Sequence, residues 1–177
     1  KGHRDQEAFD SYSQALAVAT GLLAQQPRHA DWEALAARCH YHVGSLSYRA
    51  GQWEQARESL SSALRLQEDL VERAVLSLVK GDLAATHRIV GQLEMSRRQP
   101  ELALEHQCRS LALCEELTRE LPHVTANWRE MSRNLSQLAR MHQKLRQDDE
   151  ELATGLAVVG DLIGEGSAPG PSCGPVG

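Results

Sequence analysis

Residues 55–64 are Gln55-Ala56-Arg57-Glu58-Ser59-Leu60-Ser61-Ser62-Ala63-Leu64, and similar segments occur elsewhere in the chain. A small residue recurs at intervals of 48, 47 and 50 positions, and its four occurrences are Ala8, Ala56, Ala103 and Ala153. A second small residue follows seven positions later in each case, and these are Ala15, Ala63, Ser110 and Gly160. Because seven residues are about two helical turns, both small residues lie on one helix face. The spacing predicts four helices of one type.

A matching segment precedes three of these helices. His40-Tyr41-His42-Val43-Gly44 corresponds to His87-Arg88-Ile89-Val90-Gly91, and each glycine lies twelve residues before the alanine of the next helix. Met141 holds the same place before Ala153. Small side chains allow two antiparallel helices to approach closely, so we expect each glycine to pack against the small residues of the helix that follows it.

A small residue, an alanine twelve positions later and a further small residue seven positions after that resemble the tetratricopeptide repeat. The resemblance covers residues 5–163. The usual unit of the family has about 34 residues, whereas the unit here is longer, and His40, His87 and Gln137 replace an aromatic residue of the first helix. The resemblance implies an all-α fold, an α-solenoid of antiparallel helix pairs with about seven helices of about 20 residues each.

The composition supports the same fold class. Ala, Leu, Gln, Glu and Arg fill the chain, while aromatic residues make up 4% of it, which favours helices over strands. We expect residues 1–163 to form the repeat domain and the Gly- and Pro-rich residues 164–177 to be a disordered tail. The acidic run at 147–151 is predicted to be the first turn of the last helix.

The first helix, at residues 5–25, matches the second helix of a repeat and has no preceding partner in the chain. Since a repeat helix cannot bury its apolar face alone, we expect the chain to be the C-terminal section of a longer solenoid. The chain also lacks an initiator Met, which points the same way. Docking of this helix on a second copy is a further possibility.

Several functional classes are disfavoured. The 19 Lys and Arg residues against 24 Asp and Glu residues give a net charge of −5, which argues against nucleic-acid binding. No apolar run approaches the ~18 residues of a membrane span, and the N-terminus lacks the apolar core of a signal peptide. The four cysteines form no CxxC pair, which favours a reducing, cytoplasmic location.

Sequence motifs for catalysis and metal binding are missing. The eight histidines do not occur at ligand spacings, and His40 and His42 point to different sides of a helix. The phosphate-binding and nucleophile motifs GxxxxGK[ST], GxGxxG and GxSxG do not occur. We therefore expect neither enzymatic activity nor a metal or cofactor.

In tetratricopeptide proteins the first helices line a concave groove, and the resemblance implies which side chains face it. These are Arg38, Tyr41, Ser45, Tyr48 and Arg49, then Ala85, Arg88, Gln92, Met95 and Ser96, then Leu135, Leu138, His142, Leu145 and Arg146. Four of them are arginines and none is acidic. The arginines are either solvated or they bind an acidic or C-terminal carboxylate peptide through two-donor contacts, and Arg88 is the leading residue.

The resulting hypothesis is a scaffold for protein–protein interaction that binds a peptide or protein segment in this groove. The alternative is a regulatory or sensor section of a larger signalling ATPase or enzyme whose catalytic domain lies outside this chain. Trp32 and Trp128 follow prolines near the start of first helices, and we expect them to cover the joints between units.

Overall fold

The structure is a computed structural model that describes residues 2–73 and 77–164. Within these residues the chain is all-helical, which confirms the all-α class, while the solenoid arrangement stays a prediction. The six helices are α1 (Gly2–Gln25), α2 (Ala30–Arg49), α3 (Trp53–Glu72), α4 (Ser77–Ser96), α5 (Pro100–Glu120) and α6 (Thr125–Gly164). The tail predicted to be disordered lies outside the described residues from position 165 onward.

The turns after α2 and α4 have a common backbone conformation. Gly51 has φ +76° and Arg98 has φ 60°, so both adopt the left-handed conformation that ends a helix, and they are 47 positions apart. Pro100 then begins α5, because proline tolerates the first helical position, where no intrahelical N–H bond is lost. The sequence period therefore extends to the turn geometry.

Consecutive helices from α1 to α5 pack on one another, and α2 also contacts α4. A Cβ atom on Gly44 would lie 2.7 Å from Leu60 Cγ, and one on Gly91 would lie 3.0 Å from the carbonyl oxygen of Ala103. The close approach predicted at both glycines is confirmed. Leu60, rather than the two alanines beside it, is the residue nearest to Gly44.

The helix count differs from the prediction of about seven. The chain continues as one 40-residue helix, α6, through the point where a turn was expected before a seventh helix. The acidic run at 147–151 therefore lies inside α6, and its interpretation as a first turn is wrong. No Gly or Pro lies between Thr125 and Thr154, so nothing in that segment breaks the helix.

The chain divides into two compact units, Lys1–Ala139 and Arg140–Gly177, and α6 runs from the first into the second. The core of the first unit includes Ala56, Leu60, Ile89, Val90 and Leu93. Tyr41, Tyr48 and Leu64 pack against this cluster while half-buried.

Candidate functional site

Within the first unit, α2, α4 and the part of α6 up to Ala139 form a surface that we call the first-helix face. Four side-chain contacts connect these helices: Arg38 Nη2 to Asp82 Oδ2 at 3.3 Å, Tyr48 OH to Ser96 Oγ at 3.3 Å, Arg88 Nε to Glu130 Oε1 at 2.5 Å, and Gln92 Nε2 to Gln137 Oε1 at 2.9 Å. The structure thus places four predicted groove residues on two neighbouring helices, Arg38 and Tyr48 on α2 and Arg88 and Gln92 on α4.

The two ion pairs of the first-helix face differ in depth. The side chains of Arg38 and Asp82 are 58% and 42% exposed, whereas those of Arg88 and Glu130 are 15% and 17% exposed. Arg88 therefore holds a carboxylate of its own chain in a largely covered position. Arg38 keeps most of its guanidinium at the surface.

Sequence reasoning missed both acidic partners. Asp82 lies nine positions before Gly91, and Glu130 lies eleven before Met141. Neither place belongs to the pattern of groove positions in the tetratricopeptide family. The basic excess inferred from the groove positions is therefore balanced by neighbouring acids. The partners are 44 and 42 residues apart, close to the length of one repeat, and a search for acidic residues at that spacing from each arginine could have found them.

Tyr41 lies beside Arg88 and is half-buried. Burial raises the pKa of the Tyr41 hydroxyl, and the positive charge of Arg88 partly counteracts this shift. The hydroxyl therefore stays protonated at neutral pH. It can take part in hydrogen bonding, while a nucleophilic phenolate is excluded.

The other predicted groove residues lie elsewhere. Arg49 forms an ion pair with Asp5 of α1 and lines a cleft of about 400 Å³ between α1, α2 and the start of α3. His142 and Arg146 belong to the second unit, where His142 is exposed and Arg146 Nε lies 3.5 Å from Glu150 of the same helix. The first unit therefore brings together five of the eight predicted groove residues, with Tyr41 counted through its contact with Arg88.

A second cleft, which sequence analysis did not predict, lies between α3 and α5 above α4. We call it the outer groove, and its volume is about 580 Å³. Five residues that line it lie 47 or 48 positions after residues of the cleft at α1, and the pairs are Phe9 and Arg57, Leu46 and Leu93, Ala50 and Arg97, Gln52 and Gln99, and Gln55 and Leu102. The two clefts are therefore copies of one repeated feature.

A pair of histidines lies at the end of the outer groove. His87 is 3% exposed, and its Nδ1 atom lies 3.0 Å from Nδ1 of His106. Burial, the neighbouring His106 and Arg109 lower the pKa of His87 to about 4, so the imidazole is neutral at physiological pH. Burial followed by Arg109 also lowers the pKa of His106.

The described cysteines and aromatic residues suit structural roles. Cys39 and Cys114 are buried free thiols, and burial raises the pKa of Cys114 to about 11, so it is a poor nucleophile. Trp32 stacks on His29, and Trp128 Nε1 donates a hydrogen bond to the carbonyl oxygen of Pro122 at 2.8 Å. Each tryptophan thus contacts the turn before its helix.

Two further properties concern the described residues only. Among residues 2–73 and 77–164, His, Cys, Asp and Glu side chains do not gather in groups of three or more that could hold a metal ion. In the same residues, none of the helices combines the length and the apolar character that crossing a bilayer requires.

Comparison with known proteins gives little. No protein-family model matches the chain, and no curated protein matches it. One similar solved structure is the crystal structure of BtubC (BKLC) from P. vanneervenii, with 11% sequence identity over 97% of this chain and 96% of that chain and a TM-score of 0.30. A TM-score this low carries no argument about fold or function, and the resemblance to the tetratricopeptide repeat stays a prediction.

Proposed function

We propose that this chain is a scaffold for protein–protein interaction, built as an α-solenoid of tetratricopeptide-like helix pairs. It binds a segment of a partner protein on the first-helix face. The observation that carries the proposal is the set of contacts from α2 to α4 and from α4 to α6, each between residues 42 to 48 positions apart. Contacts at about one repeat spacing place equivalent helices side by side, which is how a solenoid makes an extended binding surface.

The face as a whole is balanced in charge, and the exposed guanidinium of Arg38 is the group on it that binds an acidic segment. Arg38 is mostly exposed, and only its Nη2 contacts Asp82, at 3.3 Å, so the other N–H donors of the guanidinium are available to a ligand carboxylate. Tyr48 lies ten residues further along α2, about 15 Å, and offers an aromatic ring and a hydroxyl, the combination that is enriched at protein interfaces. Arg88 has a positioning role, because its ion pair with Glu130 connects α4 to α6.

The proposal includes a cytoplasmic location. Cys39, Cys108 and Cys114 are free thiols, and Cys108 is exposed. Thiols persist in reducing compartments, where disulfides are rare.

The test uses acidic peptides selected by peptide display against the purified chain, with affinities measured by calorimetry. Arg38→Ala should weaken binding roughly fivefold, since an exposed ion pair contributes up to about 1 kcal/mol. Arg109→Ala is the matched control, because Arg109 is 54% exposed and also forms an ion pair, with Glu105 on α5. Equal affinity in the Arg38→Ala protein and the control would contradict the proposed site.

A further inference from the structure

Helices α2, α4 and α6 are equivalent in the structure as well as in the sequence pattern. They begin 47 and 48 positions apart. Cys39, Thr86 and Asn134 lie at the same intervals and are 2%, 0% and 0% exposed, so one buried position recurs in all three helices. This interval places Ala139, rather than Met141, at the position in α6 that the glycines of α2 and α4 occupy.

Both α2 and α4 turn one face to the helix that follows them. On this face of α4, the carbonyl oxygen of Ala84 accepts a hydrogen bond from Ser110 Oγ of α5 at 2.6 Å. Gly91 meets the backbone of α5 at Ala103, and Gly44 of α2 meets α3 in the equivalent way. The following helix therefore covers this face in both cases.

The equivalent face of α6 is open. It carries four exposed residues on one side of the helix, spaced four, three and four positions apart, which are Trp128, Ser132, Leu135 and Ala139. The large apolar residues among them, Trp128 and Leu135, are 47% and 48% exposed. In α4 the positions that correspond to Ser132 and Leu135 hold Ala84 and His87, which are 0% and 3% exposed. Exposed apolar side chains grouped on one face are typical of a docking surface.

The helix α1 is equivalent to α3 and α5, and it has an open face of its own. This is the face with which α3 and α5 contact the helices before them. Leu22 is partly exposed on α1, whereas Leu70 and Leu117, the equivalent residues of α3 and α5, are 0% and 5% exposed. Val18, one turn before Leu22, is 62% exposed, and a Cβ atom on Gly21 would meet no other atom within 4 Å. Among the described residues, this part of α1 lacks the cover that α2 gives α3 and that α4 gives α5.

We infer that α1 of a second copy of this chain docks on the open face of α6, as α3 docks on α2 and α5 docks on α4. The occupant follows from the chain itself, which contains this joint between helices twice. The two faces that form the joint are both left open, one on α6 and one on α1. Each copy uses a different face for each neighbour, so the contact is head-to-tail and further copies can add.

The side chains of the two faces are complementary in size. The α4–α5 joint predicts which residues meet, because its contacting pairs have equivalents on α6 and α1. Where the backbones approach most closely, small residues meet, and these pairs are Ala139 with Ala8 and Ser132 with Ala15 of the second copy. The two large residues, Leu135 and Trp128, lie opposite the small residues Ser11 and Gly21. The joint therefore covers the exposed apolar side chains of α6 without overlap of large groups.

Two substitutions block the two halves of the joint separately. Leu135→Asp places a charge on the open face of α6 and leaves α1 intact, whereas Val18→Asp does the reverse. Each should weaken association at least about tenfold, because a carboxylate is then buried against apolar groups. Both positions are exposed, so circular dichroism should show an unchanged fold.

The measurement is sedimentation of the full chain over a range of concentrations. The native chain should form species larger than a dimer, and each variant alone should stay monomeric at the same concentrations. An equimolar mixture of the two variants should form a dimer and nothing larger. The intact α6 face of the Val18→Asp protein then binds the intact α1 face of the Leu135→Asp protein, and the remaining two faces are blocked.

Leu102→Asp is the matched control, because Leu102 is a 45% exposed leucine on α5, outside both faces. This variant and Arg38→Ala should associate like the native chain, which separates the joint from the proposed acidic-segment site. A native chain that stays monomeric up to about 0.1 mM overturns the inference, since even a weak joint forms there. Association that persists in Val18→Asp alone overturns it too, because the contact is then symmetric through α6. A mixture of the two variants that stays monomeric has the same consequence.

Discussion

Two joints of the first unit have the same spacing of small residues and different interiors. The apolar joint is formed by α2, α3 and α4. Two interior positions of α3 in this joint hold Leu60, which faces Gly44, and Ala63. In the polar joint, formed by α4, α5 and α6, the equivalent positions 47 residues later hold Gln107 and Ser110, both 0% exposed.

Hydrogen bonds fill the polar joint. The amide nitrogen of Gln107 donates to Oδ1 of Asn134 at 2.8 Å and to its carbonyl oxygen at 3.0 Å. Ser110 Oγ contacts the carbonyl oxygen of Ala84 at 2.6 Å and Oδ1 of Asn134 at 2.8 Å. Asn134, itself 0% exposed, also donates from Nδ2 to Cys114 Sγ at 3.2 Å.

The comparison separates two structural effects, the distance between helix backbones and the filling of the space between them. The glycines and alanines set the distance between helix backbones in both joints. Beside them lies Leu60 in the apolar joint and a set of polar groups that bond one another in the polar joint. Elsewhere in the apolar joint Gln67 and Ser47 are buried without hydrogen-bond partners among the described residues. Because directional bonds depend on geometry more than apolar contacts do, the polar joint fixes the register of α6 against α4 and α5 more strictly.

Exchanging the residue types at the equivalent positions 60 and 107 should have the largest effect on the free energy of unfolding. Leu60→Gln removes apolar contacts and places an amide in a joint that has no polar partner for it at Ala63, so it should lower the free energy of unfolding by about 3–5 kcal/mol. Gln107→Leu should lower it by about 1–3 kcal/mol, because Asn134 keeps its contacts with Ser110 and Cys114. Urea denaturation measures both. A greater loss in Gln107→Leu than in Leu60→Gln would show that the two interiors do not differ as described.

Acid should act most strongly on the side of the polar joint that holds His87 and His106. The equivalent residues of the apolar joint are Ser59 and one histidine, His40, whose pKa burial also lowers. His87 has a folded pKa of about 4, below the usual 6.5 of an unfolded chain. Between these values the unfolded state binds more protons. The free energy of unfolding should therefore be highest above pH 6.5 and fall as the pH drops to 4, by at most about 3 kcal/mol.

The comparison with His87→Gln isolates this contribution, since carboxylates also titrate at the acid end of the window. Groups that face the pair are Glu68, 3.9 Å from His87 Nε2, together with Glu94, Glu105 and Arg109. The difference in stability between the variant and the native chain should depend on pH between 6.5 and 4. A difference that is constant over this range would contradict the assignment of His87.

Sequence reasoning predicted the parts of the fold that depend on small residues. Gly44 and Gly91 lie where two backbones meet, and only their spacing is needed to recognise that. The absence of a turn near residue 147 was missed because the repeat period alone suggested one, with no Gly or Pro there to break the helix. Asp82 and Glu130 were missed because an ion pair between repeats depends on side-chain reach across two helices, which a pattern within one helix does not contain.

The smallest expected effect concerns the ion pairs that accompany the two joints. Arg38 and Asp82 connect α2 and α4 at the surface. Asp82→Asn should therefore change the free energy of unfolding by less than about 1 kcal/mol, and 1 M salt should remove even that difference.

Arg88 and Glu130 connect α4 and α6 and are largely buried. Glu130→Gln should therefore lower the free energy of unfolding by about 2 kcal/mol, and most of that loss should remain in 1 M salt, because solvent ions do not reach a buried pair. Thermal denaturation of both variants at low and high salt measures the contrast. If the stabilities of the two variants depended equally on salt, burial would not distinguish the two ion pairs. The difference between the joints would then be confined to their interiors.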